Sequence, residues 1–225
     1  MTPTGKIRAI ITGATGMVGE GVLHECLLHP LVEAVLIISR KPSGVVHPKL
    51  KEILHADFFN LAPIADQLKG YNACFFCLGI SSVGVKQDVY YKTTYTLTMR
   101  VAETLVQLKP EMTFCYISGR GTDSTEKGKV NWARVKGKTE NDLMKLPFKK
   151  VFPVRPGFMK PTSGLKNTLP FYKYITWLYP LGRALSPNGF CTLRELGLAM
   201  IHSVNLPETR KIITGRDIIE LAKQG

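Results

Sequence analysis

The stretch "IRAIITGATGMVGEGV" narrows most sharply what this chain can become. Residues 7–12 are an apolar, β-branched run that reads as a strand, and residues 16–29, "GMVGEGVLHECLLH", read as the helix that follows it. Gly13, Gly16 and Gly19 stand at the junction. In that context Gly13 makes the tight turn, Gly16 lets the backbone approach a pyrophosphate, and Gly19 lets the helix pack on the sheet. The helix N-terminus adds free N–H groups and the positive end of its dipole. Thr12, Gly13, Thr15, Gly16, Met17, Val18 and Gly19 are therefore the candidate phosphate-side contacts. The Gly-Lys-Ser/Thr ending of a nucleoside-triphosphate loop is missing, which excludes that class. Glycines used only for packing are the plain alternative.

The rest of the chain repeats the strand–helix alternation. "AVLIIS" (34–39), "LKEILH" (50–55), "ACFFCL" (73–78), "TFCYIS" (113–118) and "KKVFPVRP" (149–156) read as further strands. "DVYYKTTYTLTMRVAETLVQL" (88–108) has helical spacing and stops at Lys109-Pro110. "KVNWARVKGKTEND" begins another helix, "KIIT" (211–214) a short strand, and "RDIIELAKQ" (216–224) a last helix. Near-continuous apolar strands alternating with helices predict a parallel sheet covered on both faces. The 225 residues suit a single domain, 1–225, and neither repeats nor a linker divide them. No apolar run approaches the ~18–20 residues of a spanning helix, and the first residues lead straight into a strand, so a cytoplasmic protein is expected.

An acidic residue at the end of the second strand accepts bonds from both ribose hydroxyls and favours NAD. Here Ser39, Arg40 and Lys41 stand in its place. A guanidinium and an ammonium match a 2′-phosphate, so NADP(H) is expected over NAD(H). Exposed loop charges are the alternative.

Three features point elsewhere. Cys74 and Cys77 form a C-x-x-C, a spacing that suits redox or zinc chemistry, but in a strand they face opposite sides, which favours reduced core cysteines and no metal. The net charge of +13 concentrates between residues 126 and 175, with 12 Lys/Arg against 3 Asp/Glu. Such a face attracts nucleic acid, an anionic membrane or a phosphorylated ligand, or is simply solvated; no nucleic-acid module accompanies it. The Pro/Gly-punctuated region 157–190 carries Phe171, Tyr172, Tyr174, Trp177 and Tyr179, which read as core or pocket wall ahead of a membrane-touching face, with a dimer contact as a further alternative.

The glycine turn followed in order by "SRKP", "HADFFN", "FFCLG", "YISGRG", "WARVKGKTE" and "VRPG" resembles an atypical short-chain dehydrogenase/reductase. The closer resemblance is to the NAD(P)-binding epimerase/dehydratase-like branch that includes the Tat-interacting oxidoreductase-like proteins. It implies a Rossmann-like, doubly wound parallel sheet with a small C-terminal substrate-pocket region over 157–205. It also implies that Asp57 and Phe58 lie beside the adenine, and that Cys77, Leu78 and Gly79 line the cofactor. Ser118 would hold a substrate carbonyl or hydroxyl, and Lys136 would bind the nicotinamide ribose and lower the pKa of a neighbouring tyrosine. Pro156, Gly157 and Phe158 would approach the carboxamide.

The departure lies in the family's Tyr-x-x-x-Lys motif, where Trp132 replaces the tyrosine that acts as general acid and base. An indole N–H only donates, so it cannot shuttle a proton. A positioned acid/base is worth roughly 10²–10⁴ in rate. Ser118, Tyr90, Tyr91, Tyr95 or water are candidate substitutes. Two functions follow: an NADP-dependent oxidoreductase or epimerase-like enzyme acting on an unknown small molecule with an altered proton donor, or a non-catalytic NADP(H)-binding redox sensor. A basic, membrane-associated or lipid-handling protein ranks behind both.

Overall fold

Side chains of a strand alternate between the two faces of its sheet, and both faces of these runs are apolar, so helices must cover both. The computed structural model describes residues 5–168, 172, 177, 179–207, 209 and 211–224. Its main sheet contains β1 (Ile7–Thr12), β2 (Val32–Ser39), β3 (Leu50–Leu54), β4 (Ala73–Phe76), β5 (Thr113–Ile117) and β6 (Lys150–Val154). They lie in the order β3-β2-β1-β4-β5-β6 and every neighbouring pair is parallel. This is the Rossmann-like, doubly wound sheet. Winding runs outward from β1 to β3, then returns to β4 and goes the other way. That reversal opens a crevice at the carboxyl ends of β1 and β4.

The helices are α1 (Met17–Leu28), α2 (Ala65–Leu68), α3 (Gln87–Tyr91), α4 (Leu97–Leu108) and α5 (Asn131–Leu143). On one face Ile11, Val35, Phe75 and Cys115 pack against Val22 and Cys26 of α1. On the other, Ile10, Leu36, Phe76 and Phe114 pack against Val101 and Leu105 of α4. Cys74 belongs to the second cluster and Cys77 packs on the first, as strand alternation requires.

The expected helix 88–108 is interrupted by a π turn at Lys92–Thr96 between α3 and α4. Threonine hydroxyls compete for main-chain carbonyls there: Thr93 Oγ1 donates to Val89 O at 2.7 Å and Thr98 Oγ1 to Thr94 O at 2.6 Å. "KIIT" makes a single bridge, Ile213 to Val154, rather than a strand.

After β6 come β7 (Phe158–Lys160), α6 (Tyr179–Leu185), β8 (Phe190–Thr192), α7 (Leu193–Ser203) and α8 (Gly215–Leu221). β7 and β8 form a separate parallel pair. No element is expected from the sequence over 191–203, yet α7 opens with a reciprocal Thr192–Glu195 capping box and buries Leu196, Met200 and Ile201 against α1. This part of 157–205 belongs to the core. Of the expected aromatic patch, Phe171 and Tyr174 lie outside the described residues; Tyr172 is buried, and Trp177 is 73% exposed.

Candidate active site

The turn between β1 and α1 is built from backbone. Gly13 has φ +72°, and a Cβ there would stand 2.8 Å from the Cys77 carbonyl carbon, so β1 and β4 approach more closely than any side chain allows. At Gly19 a Cβ would meet Gly13 O at 2.1 Å, which seats α1 on its own turn. Gly16 differs: a Cβ there meets only Gly13 O, at an ordinary 3.5 Å. Packing does not demand glycine at 16. Gly16 caps α1 without a side-chain bond, leaving the first-turn N–H groups facing out.

Two cavities meet over Cys77, Leu78 and Gly79. The first, about 250 Å³, lies on the β2 side and is lined by Gly13, Thr15, Gly16, Ile38, Ser39, Arg40 and Phe58. Arg40 is exposed and has no hydrogen bond or ion pair among the described residues. A carboxylate does reach this end, but from the neighbouring strand: Glu52 Oε1 accepts from Ser39 Oγ at 2.8 Å and from Ser43 N at 2.9 Å. Glu52 is thereby engaged in holding the β2 loop.

The second cavity, about 470 Å³, opens at the ends of β5 and β6. Val18, Ser118, Trp132, Lys136, Pro156 and Gly157 line it, so Trp132 and Lys136, one helical turn apart on α5, do face the same space. Ser118 is buried and its hydroxyl donates to Val154 O at 3.1 Å. Lys136 Nζ donates to the Ser118 carbonyl. Burial lowers the Lys136 pKa from the ordinary lysine value, with Glu140 opposing it. The glycines at 119 and 121 hold positive φ, and a Cβ at Gly121 would stand 3.2 Å from the Trp132 ring. The indole therefore lies against a turn that leaves room for it.

Other expected residues stand apart. Lys41 is exposed outside the lining of both cavities. Asp57 is exposed and its Oδ1 accepts from Phe59 N at 2.9 Å, closing a local turn beside Phe58. Met17 packs on the core, and Phe158 stacks among Tyr172, Tyr179 and Phe190 rather than on the cavity wall. Thr12 is buried, with a hydroxyl that has no partner among the described residues. The tyrosines named as substitutes do not line the cavity. Tyr95 donates to Asp142 at 2.8 Å and lies against Tyr91, while Tyr90 is buried. Arg120 and Met159 line it without having been anticipated. The sequence signal for Arg120 was its place in "SGRG", a charge between two glycines just past a strand end.

The NAD dependent epimerase/dehydratase family model matches residues 9–130. Among curated proteins, the chain is 29% identical over 143 residues to Leucinostatins biosynthesis cluster protein T of Purpureocillium lilacinum, covering 61% of this chain and 51% of that one. It thus spans about half the length of that relative. It is 25% identical over 167 residues to Protein FMP52-1, mitochondrial, of Scheffersomyces stipitis, covering 72% and 73%. Among solved structures, the Bordetella bronchiseptica enzyme WbmF in complex with NAD+ superposes with a TM-score of 0.66 at 13% identity, covering 98% of this chain and 78% of that one.

Proposed function

The chain belongs to the NAD dependent epimerase/dehydratase family, and from that premise we propose that it is an NADP(H)-dependent oxidoreductase or epimerase-like enzyme acting on a small molecule. The observation that carries this reading is the continuity of the cleft. A bare glycine turn and helix N-terminus meet Arg40 at one end, and Ser118, Trp132 and Lys136 gather at the other. A bound nicotinamide dinucleotide supplies hydride chemistry at the second end.

The residues present fit such a group. The α1 N-terminus and Gly16 receive the pyrophosphate, Phe58 flanks the adenine, and Arg40 pairs with a 2′-phosphate. Pro156 and Gly157 face the nicotinamide end. No helix among the described residues is long and apolar enough to cross a membrane.

The test follows NADPH absorbance at 340 nm against aldehydes, ketones and quinones. Turnover of at least one class is expected, and Trp132→Tyr should raise it, because a phenol can both donate and accept the proton. NADPH binding without turnover of any member would favour the second reading, a protein that holds NADP(H) and reports redox state. The absence of a tyrosine from the described cavity lining is what speaks for that alternative.

A further inference from the structure

The cavity beside Ser118 must supply a proton if the proposed reduction occurs there, and the inference below rests on that reading. Its described lining contains five side chains with N–H, O–H or S–H groups: Cys77, Ser118, Arg120, Trp132 and Lys136. Four are poorly suited. The Trp132 indole does not release its proton, and a guanidinium keeps its own. The Ser118 hydroxyl is spent on Val154 O. Burial pushes the Cys77 thiol well above the usual thiol range, with Cys115 adding to it. No described tyrosine, histidine or carboxylate lines the space.

Lys136 remains, and its geometry suits the task. An ammonium has three donors; the bond to Ser118 O fixes the head group and uses one. Of the other two, one suffices for the nicotinamide ribose and the last can meet a substrate oxygen. We infer that Lys136, not a tyrosine, is the proton donor of this site. In the reduction, the Lys136 Nζ–H bond breaks and an O–H bond forms on the carbonyl oxygen. A bound reduced nicotinamide dinucleotide would supply the hydride to the carbonyl carbon and be oxidised, the carbonyl would become an alcohol, and Lys136 would be left as a neutral amine that solvent reprotonates. In the reverse direction the amine accepts the alcohol proton.

The charged groups around Lys136 are consistent with this. Burial favours the neutral amine. Glu140, one turn further along α5, favours the ammonium, but its carboxylate is taken up by Arg155 at the end of β6. Arg120 and the neutral Cys77 thiol face the cavity from the ends of β5 and β4. Because the charged form is the donor, reduction should fall as pH rises through the Lys136 pKa.

The test combines Lys136→Met and Lys136→Arg with a direct titration of the amine. Arg keeps the positive charge and a bond to Ser118 O but cannot release a proton. At saturating NADPH, with 4-nitrobenzaldehyde or whichever panel carbonyl the native protein reduces, both variants should lose roughly 10²–10⁴ in turnover. Lys136→Arg should still bind NADPH in calorimetry. In the native protein carrying 13Cε-labelled lysine, the resonance lost in Lys136→Met should titrate at lower pH than the other lysines. Retained turnover in Lys136→Arg, or a Lys136 resonance that titrates with the rest, overturns the inference and leaves Lys136 as a positioning residue. A native protein that binds NADPH yet reduces no carbonyl also overturns it, while leaving the cofactor site intact. Absence of NADPH binding instead means that the underlying reading of the cleft has failed.

Discussion

The two ends of the cleft are made in different ways. At the β1–α1 turn the work is done by what is missing: Gly13 and Gly19 have no space for a Cβ, and Gly16 leaves the approach clear. Around β5 and α5 it is done by side chains, Ser118, Trp132 and Lys136, set on a strand end and one helix face. A backbone-built end admits no side chain at Gly13 or Gly19. A side-chain-built end can exchange one group and keep its form while its chemistry changes.

The comparison breaks most sharply at Gly19. Gly19→Val places carbon atoms within reach of Gly13 O that nothing flexible can yield to. It should destabilise the protein by about 3 kcal/mol and abolish dinucleotide binding, as read by urea unfolding and calorimetry. Intact binding would mean that the turn relaxes and is not the rigid half of the pair. Arg40→Ala should leave the fold unchanged and cost roughly 1.5–3 kcal/mol in NADPH affinity, with NADH hardly affected. Equal losses for both nucleotides would remove Arg40 from the 2′-phosphate.

A similar effect, in stability alone, is expected at the far end of α5. Burial raises the Asp142 carboxyl, but bonds from Lys138, Lys145 and Tyr95 outweigh it and hold the pKa at about 2. A depressed carboxyl stabilises the folded state above its ordinary pKa, so this contribution is present at neutral pH and is lost as pH falls from about 4 towards 2. Asp142→Asn should cost about 2 kcal/mol at pH 7 and almost nothing at pH 2, without changing NADPH affinity. A pH-independent difference would place the effect in packing rather than charge. The smallest effect belongs to Trp132→Tyr. Its gain in turnover should fall short of the ~10²-fold that a donor brings to a site with none, since Lys136 already supplies a proton. A larger gain would count against Lys136.

The first end was legible because backbone demands write themselves into sequence. Only glycine serves at 13 and 19, and a strand before and a helix after fix the meaning. Six strands were visible for a related reason, since burial on both faces leaves an uninterrupted apolar run such as "ACFF" or "TFCYI". Trp132 and Lys136 could be paired by their spacing alone. Spacing does not reach the groups around them: Ser118 and Arg120 lie past the end of β5 and Pro156 past the end of β6, and only the sheet order sets these ends side by side. Glu52 escaped notice because it reaches Ser39 across strands, thirteen residues along the chain. After β6 the signal thins. β7 and β8 are too short to show a period, and α7 follows β8 with no intervening loop to mark its start, though its Thr192–Glu195 capping box is there to be read.

The most direct measurement is a calorimetric titration of the purified protein with NADPH and, separately, NADH. The account predicts that both bind, with NADPH tighter by roughly the 1.5–3 kcal/mol of the Arg40 contact. No binding of either nucleotide, or equal binding of the two, would contradict it: the first at the glycine turn, the second at Arg40.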